Sequence, residues 1–165
     1  MLIALTGFMG SGKSTVGRLV ADALGCLFLD LDEVIVKKAG KSIPAIFEAE
    51  GEKGFRRLEK QALEQTVGKY AESMAVLALG GGTVTVPGAI GLLQEKTLCI
   101  YLQADVDTLR ANLEGTAGAR PLAGEGWEER LAARLPLYEK AAHVTIDTAG
   151  LTPEEIADEI IISCL

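Results

Sequence analysis

Short apolar runs alternate along the chain with longer segments in which apolar residues recur every three or four positions. The runs lie at residues 2–5, 27–29, 74–79, 97–102 and 144–146. Between the second and third runs, the helical spacing is clearest at Phe55, Leu58, Ala62 and Leu63. Strands that alternate with helices predict a five-stranded parallel sheet with helices on both faces, which is a three-layer α/β/α fold.

The helical segments carry local signals for where they begin and end. We predict helices at residues 14–24, 32–39, 43–50, 52–70, 105–114 and 127–142, and a last one that begins after Thr152. Gly40 is typical of a helix C-terminus, and Asp105 of an N-terminal cap. Pro87 suits the first turn of a helix before the fourth strand, and Pro136 predicts a kink.

Residues 115–126 contain four glycines and predict a loop. The chain contains neither an internal repeat nor a linker, so we predict a single domain over residues 1–165. In a parallel α/β sheet, ligands bind at the carboxyl ends of the strands. The residues that follow each strand are therefore the first candidates for a functional site.

The loop after the first strand has the strongest signal. Residues 7–14 fit the phosphate-binding pattern Gly-x-x-x-x-Gly-Lys-Ser, known as the P-loop. Its glycines let backbone N–H groups turn toward an anion, Lys13 can reach the outer phosphates, and Ser14 can ligate Mg²⁺. The N-terminus of the following helix adds a favourable dipole. The sequence therefore predicts a nucleotide phosphate site.

Two carboxylates follow the second strand. Asp30 and Asp32 are two residues apart, which would send both side chains the same way if the chain is extended there. One carboxylate near Mg²⁺ and one near a substrate hydroxyl would serve phosphoryl transfer. Alternatively, Asp32 caps the following helix, and the two roles can coexist.

Arginines and glycines supply the remaining candidates. Arg56 and Arg134 could bind a carboxylate through their planar guanidinium groups, or could lie on solvated helix faces. Arg120, within the predicted loop, suits a lid that excludes water and brings positive charge to a transferring group; a plain surface loop is the alternative. Residues 80–82 are three glycines that permit close backbone approach to a ligand, or form a tight turn. Glu59 could tether Arg56 across one helical turn.

Composition excludes several classes of function. The net charge of −7 argues against a general nucleic-acid surface. Cys26, Cys99 and Cys164 are odd in number and widely spaced, so we expect small buried thiols in a reducing cytosol rather than disulfides or a metal site. No apolar stretch is long enough to span a membrane, and the first strand lacks the basic region of a signal peptide. We expect a cytoplasmic monomer.

Taken together, these segments resemble the shikimate kinases, P-loop enzymes similar to the nucleoside monophosphate kinases. The resemblance rests on residues 7–18, Asp-Leu-Asp at 30–32, Ser-Ile-Pro-Ala-Ile-Phe at 42–47, Gly-Glu-x-x-Phe-Arg-x-x-Glu at 51–59, Leu-Gly-Gly-Gly at 79–82, Arg-Pro-Leu at 120–122 and Arg-x-Pro-Leu-Tyr at 134–138. It implies ATP-dependent phosphorylation of the 3-hydroxyl of shikimate, giving shikimate 3-phosphate and ADP on the pathway to chorismate and the aromatic amino acids.

The resemblance also implies residue roles. The ATP phosphates would be held by Gly10, Ser11, Gly12, Lys13, Ser14 and Thr15. Mg²⁺ would be held by Ser14 and Asp30, the latter directly or through water. Shikimate would be bound by Asp32, Arg56, Gly80, Gly81, Gly82 and Arg134. The catalytic residues would be Lys13, Asp32 as the base, and Arg120, which also contacts ATP. The substrate-binding region would cover about residues 32–60, and the lid about 113–126.

The sequence departs mildly from the family pattern. Leu31 stands where a small polar residue is usual, Thr83 stands where Ala is more frequent, and Gly54 falls inside a predicted helix. Two other functions stay open at this point. One is a P-loop kinase for another small molecule, such as gluconate or a nucleoside monophosphate. The other is a regulatory module that binds a nucleotide without catalysis.

Overall fold

The computed structural model of the protein describes residues 1–114 and 125–165. The strands are β1 (Leu2–Thr6), β2 (Leu27–Asp30), β3 (Ala75–Ala78), β4 (Leu98–Gln103) and β5 (Val144–Asp147). They form one parallel sheet in the order β2-β3-β1-β4-β5. The predicted five-stranded parallel sheet is therefore confirmed.

The helices are α1 (Lys13–Leu24), α2 (Leu31–Ala39), α3 (Ile43–Tyr70), α4 (Ala89–Lys96), α5 (Val106–Glu114), α6 (Trp127–Ala141) and α7 (Pro153–Cys164). Gly51 has a non-helical backbone (φ 69°, ψ −175°) and divides α3 at the predicted boundary between two helices. Gly40 ends α2 in the left-handed conformation, and Asp105 Oδ1 accepts the Thr108 N–H at 2.7 Å, as predicted for a cap. Thr152 and Glu155 form a capping box at the start of α7.

The prediction for Pro87 is wrong. Pro87 precedes Gly88, which is the N-cap of α4 with φ 85°, so the proline lies outside the helix. The residues before it, Thr83–Thr85, form a single 3₁₀ turn that leaves little chain for an earlier helix start. Pro136 lies inside α6, and the kink predicted there stays a prediction. Of the predicted loop at 115–126, only residues 125 and 126 fall within the described residues, and they directly precede α6.

Helices cover both faces of the sheet, and the central strands contribute side chains to the hydrophobic core on each face. In β1, Leu2 and Ala4 belong to one cluster of buried residues, while Ile3 and Leu5 belong to the other. The first cluster contains residues of α2 to α6, and the second contains residues of α1 and α7. Burial on both faces explains why central strands read as continuous apolar runs rather than alternating ones.

The cysteine prediction is only partly right. Cys99 is buried in β4, but Cys26 and Cys164 are half-buried. Cys26 precedes the edge strand β2, and Cys164 lies in the last turn of α7, so neither has neighbours on every side. All three thiols are free. Within residues 1–114 and 125–165, no helix has both the length and the apolar character needed to cross a membrane.

Candidate active site

The P-loop connects β1 to α1 at the carboxyl edge of the sheet. Gly12 is the N-cap of α1 in the left-handed conformation (φ 89°), which side chains rarely adopt, so a glycine is required there. The Lys13 side chain is buried, and its Nζ donates to the carbonyl oxygens of Gly7 and Phe8 at 2.7 and 2.8 Å. These bonds hold the ammonium group against the loop backbone, where an anion in the loop would meet it.

Asp30 connects the P-loop to α2. Its Oδ2 accepts a hydrogen bond from Ser14 Oγ at 2.6 Å, and its Oδ1 accepts the backbone N–H groups of Asp32 and Glu33 at 2.9 and 3.4 Å. Asp30 is therefore the N-cap of α2, and the alternative that Asp32 caps this helix is wrong. The chain is not extended through Asp32, because α2 already begins at Leu31.

One cavity of about 230 Å³ joins the predicted residues. It is lined by Gly10, Gly12, Lys13, Ser14, Thr15, Asp30, Asp32, Arg56, Gly80, Gly81, Gly82 and Arg134. Ser11 is outside this lining, but its Oγ lies 3.5 Å from Lys13 Nζ. Arg120 lies outside the described residues. Residues from five separate parts of the sequence thus face one cavity.

Asp32 has a strongly perturbed acidity in this cavity. Burial raises the pKa of its carboxyl group from the ordinary value of 3.8 to about 6, and the charges of Asp30 and Glu59 act in the same direction. Lys13 and Arg56 oppose the shift but do not cancel it. A carboxylate with this pKa is mostly deprotonated at neutral pH and is a better proton acceptor than an ordinary aspartate.

Arg56 is held by carboxylates of its own helix. Its Nη1 donates to Glu59 Oε1 at 2.6 Å, and its Nη2 lies 3.5 Å from Glu52 Oε2. The predicted tether between Glu59 and Arg56 is therefore confirmed. The guanidinium also packs against Gly82, where an added Cβ would come within 2.3 Å of Arg56 Nη2. A side chain at position 82 would therefore displace the Arg56 guanidinium from its present position.

Arg134 approaches the same cavity from α6. Its side chain is only 7% exposed, and its Cζ lies 5.8 Å from the centre of the Phe8 ring. Tyr138, one turn further along α6, donates a hydrogen bond to the Gly81 carbonyl and so ties the helix to the glycine segment. No carboxylate among the described residues lies within ion-pair distance of Arg134. A buried guanidinium of this kind favours an anionic ligand.

Other residues of the site were not identified from the sequence. Ile43, Phe47 and Phe55 form an apolar wall, with the two phenylalanine rings 4.9 Å apart. Phe55 adjoins Arg56 in one motif of the resemblance and Ile43 and Phe47 lie in another, at 42–47, but no role in the site was predicted for them. Asn112 Nδ2, on α5, donates to the Gly10 carbonyl at 2.7 Å and so contacts the P-loop. A single asparagine in a helical segment gives no signal of that contact.

Comparisons with known proteins agree with this site. The family model for shikimate kinase matches residues 9–165. The chain is 45% identical to a shikimate kinase of Streptococcus gordonii, an alignment that covers 98% of each protein. It is 43% identical to one of Geobacter sulfurreducens, over 96% of this chain and 87% of that protein.

Solved structures agree as well. One is a shikimate kinase from Acinetobacter baumannii in complex with shikimate, with a TM-score of 0.88 and 36% identity over 99% of this chain and 93% of that chain. Another is a shikimate kinase from Aquifex aeolicus, with a TM-score of 0.83 and 32% identity over 99% of this chain and 96% of that chain. The P-loop, the cavity that joins the predicted residues and nearly the whole length of the sequence therefore agree that the chain belongs to the shikimate kinase family.

Proposed function

We propose that this chain transfers the γ-phosphoryl group of ATP to the 3-hydroxyl of shikimate, giving shikimate 3-phosphate and ADP on the pathway to chorismate and the aromatic amino acids. Membership of the family supports the reaction, and the Acinetobacter baumannii relative is described in complex with shikimate. Within the chain itself, the observation that carries the proposal is Arg134, a buried guanidinium without a carboxylate partner among the described residues, facing the same cavity as Asp32.

The acceptor binds through two kinds of contact. Arg134 and Arg56 hold the shikimate carboxylate, because guanidinium groups match a carboxylate with paired hydrogen bonds. Backbone groups of residues 80–82 border the ring, and the apolar wall covers its hydrophobic edge. Shikimate is a small anion with neighbouring hydroxyls, so this combination of cations, a carboxylate and close backbone fits its chemistry.

Asp32 orients and deprotonates the reacting hydroxyl. The hydroxyl oxygen forms a new bond to the γ-phosphorus, the bond from that phosphorus to the bridging oxygen breaks, and ADP leaves. The hydroxyl proton passes to Asp32, whose raised pKa suits that role. The base need not be strong, because phosphoryl transfer passes through a loose transition state in which positioning and charge neutralisation dominate. Lys13, in the P-loop, supplies positive charge to the phosphates.

Mg²⁺ fits the oxygen donors beside the P-loop. Ser14 Oγ and Asp30 Oδ2 are 2.6 Å apart, and both line the cavity. The described residues contain no cluster of three or more histidine, cysteine or acidic side chains that could hold a metal alone. This agrees with an ion that takes its remaining ligands from phosphate oxygens and water. When bound, Mg²⁺ would neutralise charge on the ATP phosphates, with Ser14 and Asp30 as its protein partners.

Two regions complete the proposal. Residues 32–60 form the acceptor-binding region, which is supported by the cavity residues Ile43, Phe47, Phe55 and Arg56. The lid at about 113–126, with Arg120 as its cation, stays a prediction from the sequence, because residues 115–124 lie outside the described part of the chain. A cytoplasmic monomer likewise stays a prediction.

A coupled assay of ADP release tests the function. Shikimate, gluconate and AMP are offered in parallel with MgATP, and the product is examined by phosphorus–proton NMR coupling to locate the new phosphate. We expect release with shikimate alone and phosphate on the oxygen at carbon 3. Turnover only with gluconate or AMP would support a different small-molecule kinase. ATP binding without turnover of any acceptor would support the regulatory module.

A further inference from the structure

We propose that Thr83 is a positioning residue for the acceptor site, because its hydroxyl fixes the Glu59 carboxylate, which in turn aims the Arg56 guanidinium. The inference deepens the proposed function and rests on it. Thr83 follows the glycine segment at 80–82 and lies in the 3₁₀ turn at Thr83–Thr85.

Glu59 is a fully buried carboxylate with one partner for each oxygen. Oε1 accepts from Arg56 Nη1 at 2.6 Å, and Oε2 accepts from Thr83 Oγ1 at 2.8 Å. A buried carboxylate is tolerated only where charges and hydrogen bonds replace its hydration. Arg56 supplies the charge, and Thr83 supplies the second hydrogen bond.

Burial and a backbone hydrogen bond restrict the position of Thr83. Its side chain is fully buried, and its backbone N–H donates to the Gly80 carbonyl at 3.3 Å. A hydroxyl has a single proton to donate, and here it is committed to Glu59. The bond joins residues 24 positions apart and connects the carboxyl end of β3 to α3.

The consequence for Arg56 is geometric. A glutamate carboxylate rotates about its last side-chain bond with little preference, so one partner leaves its plane undefined. The second partner, Thr83, fixes that plane and hence the position of Oε1 and of the guanidinium that Oε1 binds. Arg56 is then presented to the cavity in one orientation, and a bidentate contact with a carboxylate ligand depends on that orientation.

The hydrogen-bonded group of Thr83, Glu59 and Arg56 also lies beside Asp32, the proposed base. A Cβ built on Gly80 would be 2.9 Å from Glu59 Oε2, 3.2 Å from Thr83 Oγ1 and 3.3 Å from Asp32 Oδ1. The three polar groups therefore surround the same glycine.

The test compares three substitutions of Thr83 in the full chain. Thr83→Val keeps the volume without a hydroxyl, Thr83→Ala removes both, and Thr83→Ser keeps the hydroxyl. Thr97→Ala is the matched control, because Thr97 Oγ1 also donates a hydrogen bond, to Leu93 O at 2.7 Å, but at the amino end of β4, opposite the cavity. KM for shikimate, KM for ATP and kcat are measured for each, together with the thermal transition.

We expect Thr83→Val and Thr83→Ala to raise the KM for shikimate about tenfold, the effect of losing a buried hydrogen bond to a charged group. The KM for ATP and kcat should stay within about twofold of the wild type, and Thr83→Ser should restore the KM for shikimate. Thr97→Ala should leave all three constants unchanged.

An unchanged KM for shikimate in the folded Thr83→Val or Thr83→Ala protein would overturn the inference, as would equal losses in Thr83→Ser and Thr83→Ala. If both variants without a hydroxyl fail to fold while Thr83→Ser folds, the hydroxyl serves the fold rather than the site, which also overturns it. The wild type is measured first in the same assay. Absence of wild-type turnover with shikimate would contradict the proposed function, whereas normal wild-type turnover with an unchanged variant KM contradicts only the role of Thr83.

Discussion

Asp32 is the residue at which stability and the proposed chemistry conflict. Its pKa is raised to about 6 in the folded protein and is near 3.8 in an unfolded chain. Between these values the folded state binds a proton that the unfolded state has released, so this group's contribution to stability falls as the pH rises from about 4 to 6. Above pH 6 the buried charge costs on the order of 2–3 kcal/mol relative to pH 4.

Asp32→Asn therefore has two opposite effects. We expect turnover of shikimate to fall at least about a hundredfold, because the general base is lost. We also expect the free energy of unfolding at pH 8 to rise by about 1–3 kcal/mol, because the substitution removes a buried charge, and this gain should shrink toward pH 4. Urea unfolding at both pH values measures the gain, and the coupled assay measures the turnover.

The control for this prediction is Asp22→Asn. Asp22 is an exposed carboxylate on α1, away from the cavity, so its removal should change neither stability nor turnover appreciably. A stability gain at Asp32 that is the same at pH 4 and pH 8 would contradict the assigned cause.

Arg134 is expected to contribute to shikimate binding but not to ATP binding. Arg134→Ala should raise the KM for shikimate about a hundredfold and leave the KM for ATP nearly unchanged, because truncating one partner of a buried ion pair costs about 2–5 kcal/mol. Arg134→Lys keeps the charge but loses the planar fork, so its KM should lie between those of the wild type and Arg134→Ala. Steady-state kinetics at saturating co-substrate measure both constants. An unchanged KM for shikimate in Arg134→Ala would refute the role in carboxylate binding.

At the scale of elements, α3 depends on one residue for its shape. Gly51 has φ 69° and ψ −175°, a region of backbone conformation that is essentially limited to glycine. It separates the segment that carries Phe47 from the one that carries Phe55 and Arg56. Phe47 therefore reaches the cavity from a different direction than Phe55 and Arg56, although the two segments are consecutive in the sequence.

Gly51→Ala should destabilise the protein by about 1–3 kcal/mol. No atom lies within 4 Å of the added Cβ, so the cost is purely that of the backbone conformation. Gly68→Ala is the matched control, since Gly68 lies on the same helix with ordinary helical geometry and also has open space around an added Cβ. That substitution should stabilise by up to about 1 kcal/mol. Thermal or urea unfolding separates the two, and equal effects would show that the kink is not strained.

Local patterns predict the elements well but not the contacts between them. The break at Gly51 was predictable because Glu50 and Glu52 flank a glycine between two apolar periodicities, and the five strands were predictable because both faces of the sheet are buried. The predicted start of α2 is one residue late, so Asp30 goes unrecognised as its cap and Asp32 stands as an alternative cap. The bond from Thr83 to Glu59 was not predictable, since only the packing of α3 against the 3₁₀ turn at Thr83–Thr85 brings those residues together.

Across the whole molecule, the positive side chains beside the acceptor site contrast with the net negative charge of the chain. The chain carries a net charge of −7, yet both proposed substrates are anions. A groove adjoins the cavity and shares Arg56 and Arg134 with it, and its lining also includes Lys53, Arg57, Lys60 and Arg130. Positive side chains along a groove raise the local concentration of an anion and steer its approach. The groove therefore offsets, near the acceptor site, the repulsion expected from the rest of the surface.

Reversing charge in the groove tests this view. The double substitution Lys53→Glu and Lys60→Glu should raise the KM for shikimate by about three- to tenfold at low ionic strength, while kcat is nearly kept. The effect should largely disappear near 1 M salt, where the screening length falls to about 3 Å. Lys96→Glu is the control, because Lys96 is an exposed lysine at the end of α4 and precedes the amino end of β4, opposite the cavity. An equal change in the control would assign the effect to net charge, and an effect that persists at high salt would assign it to direct contacts rather than to the long-range field.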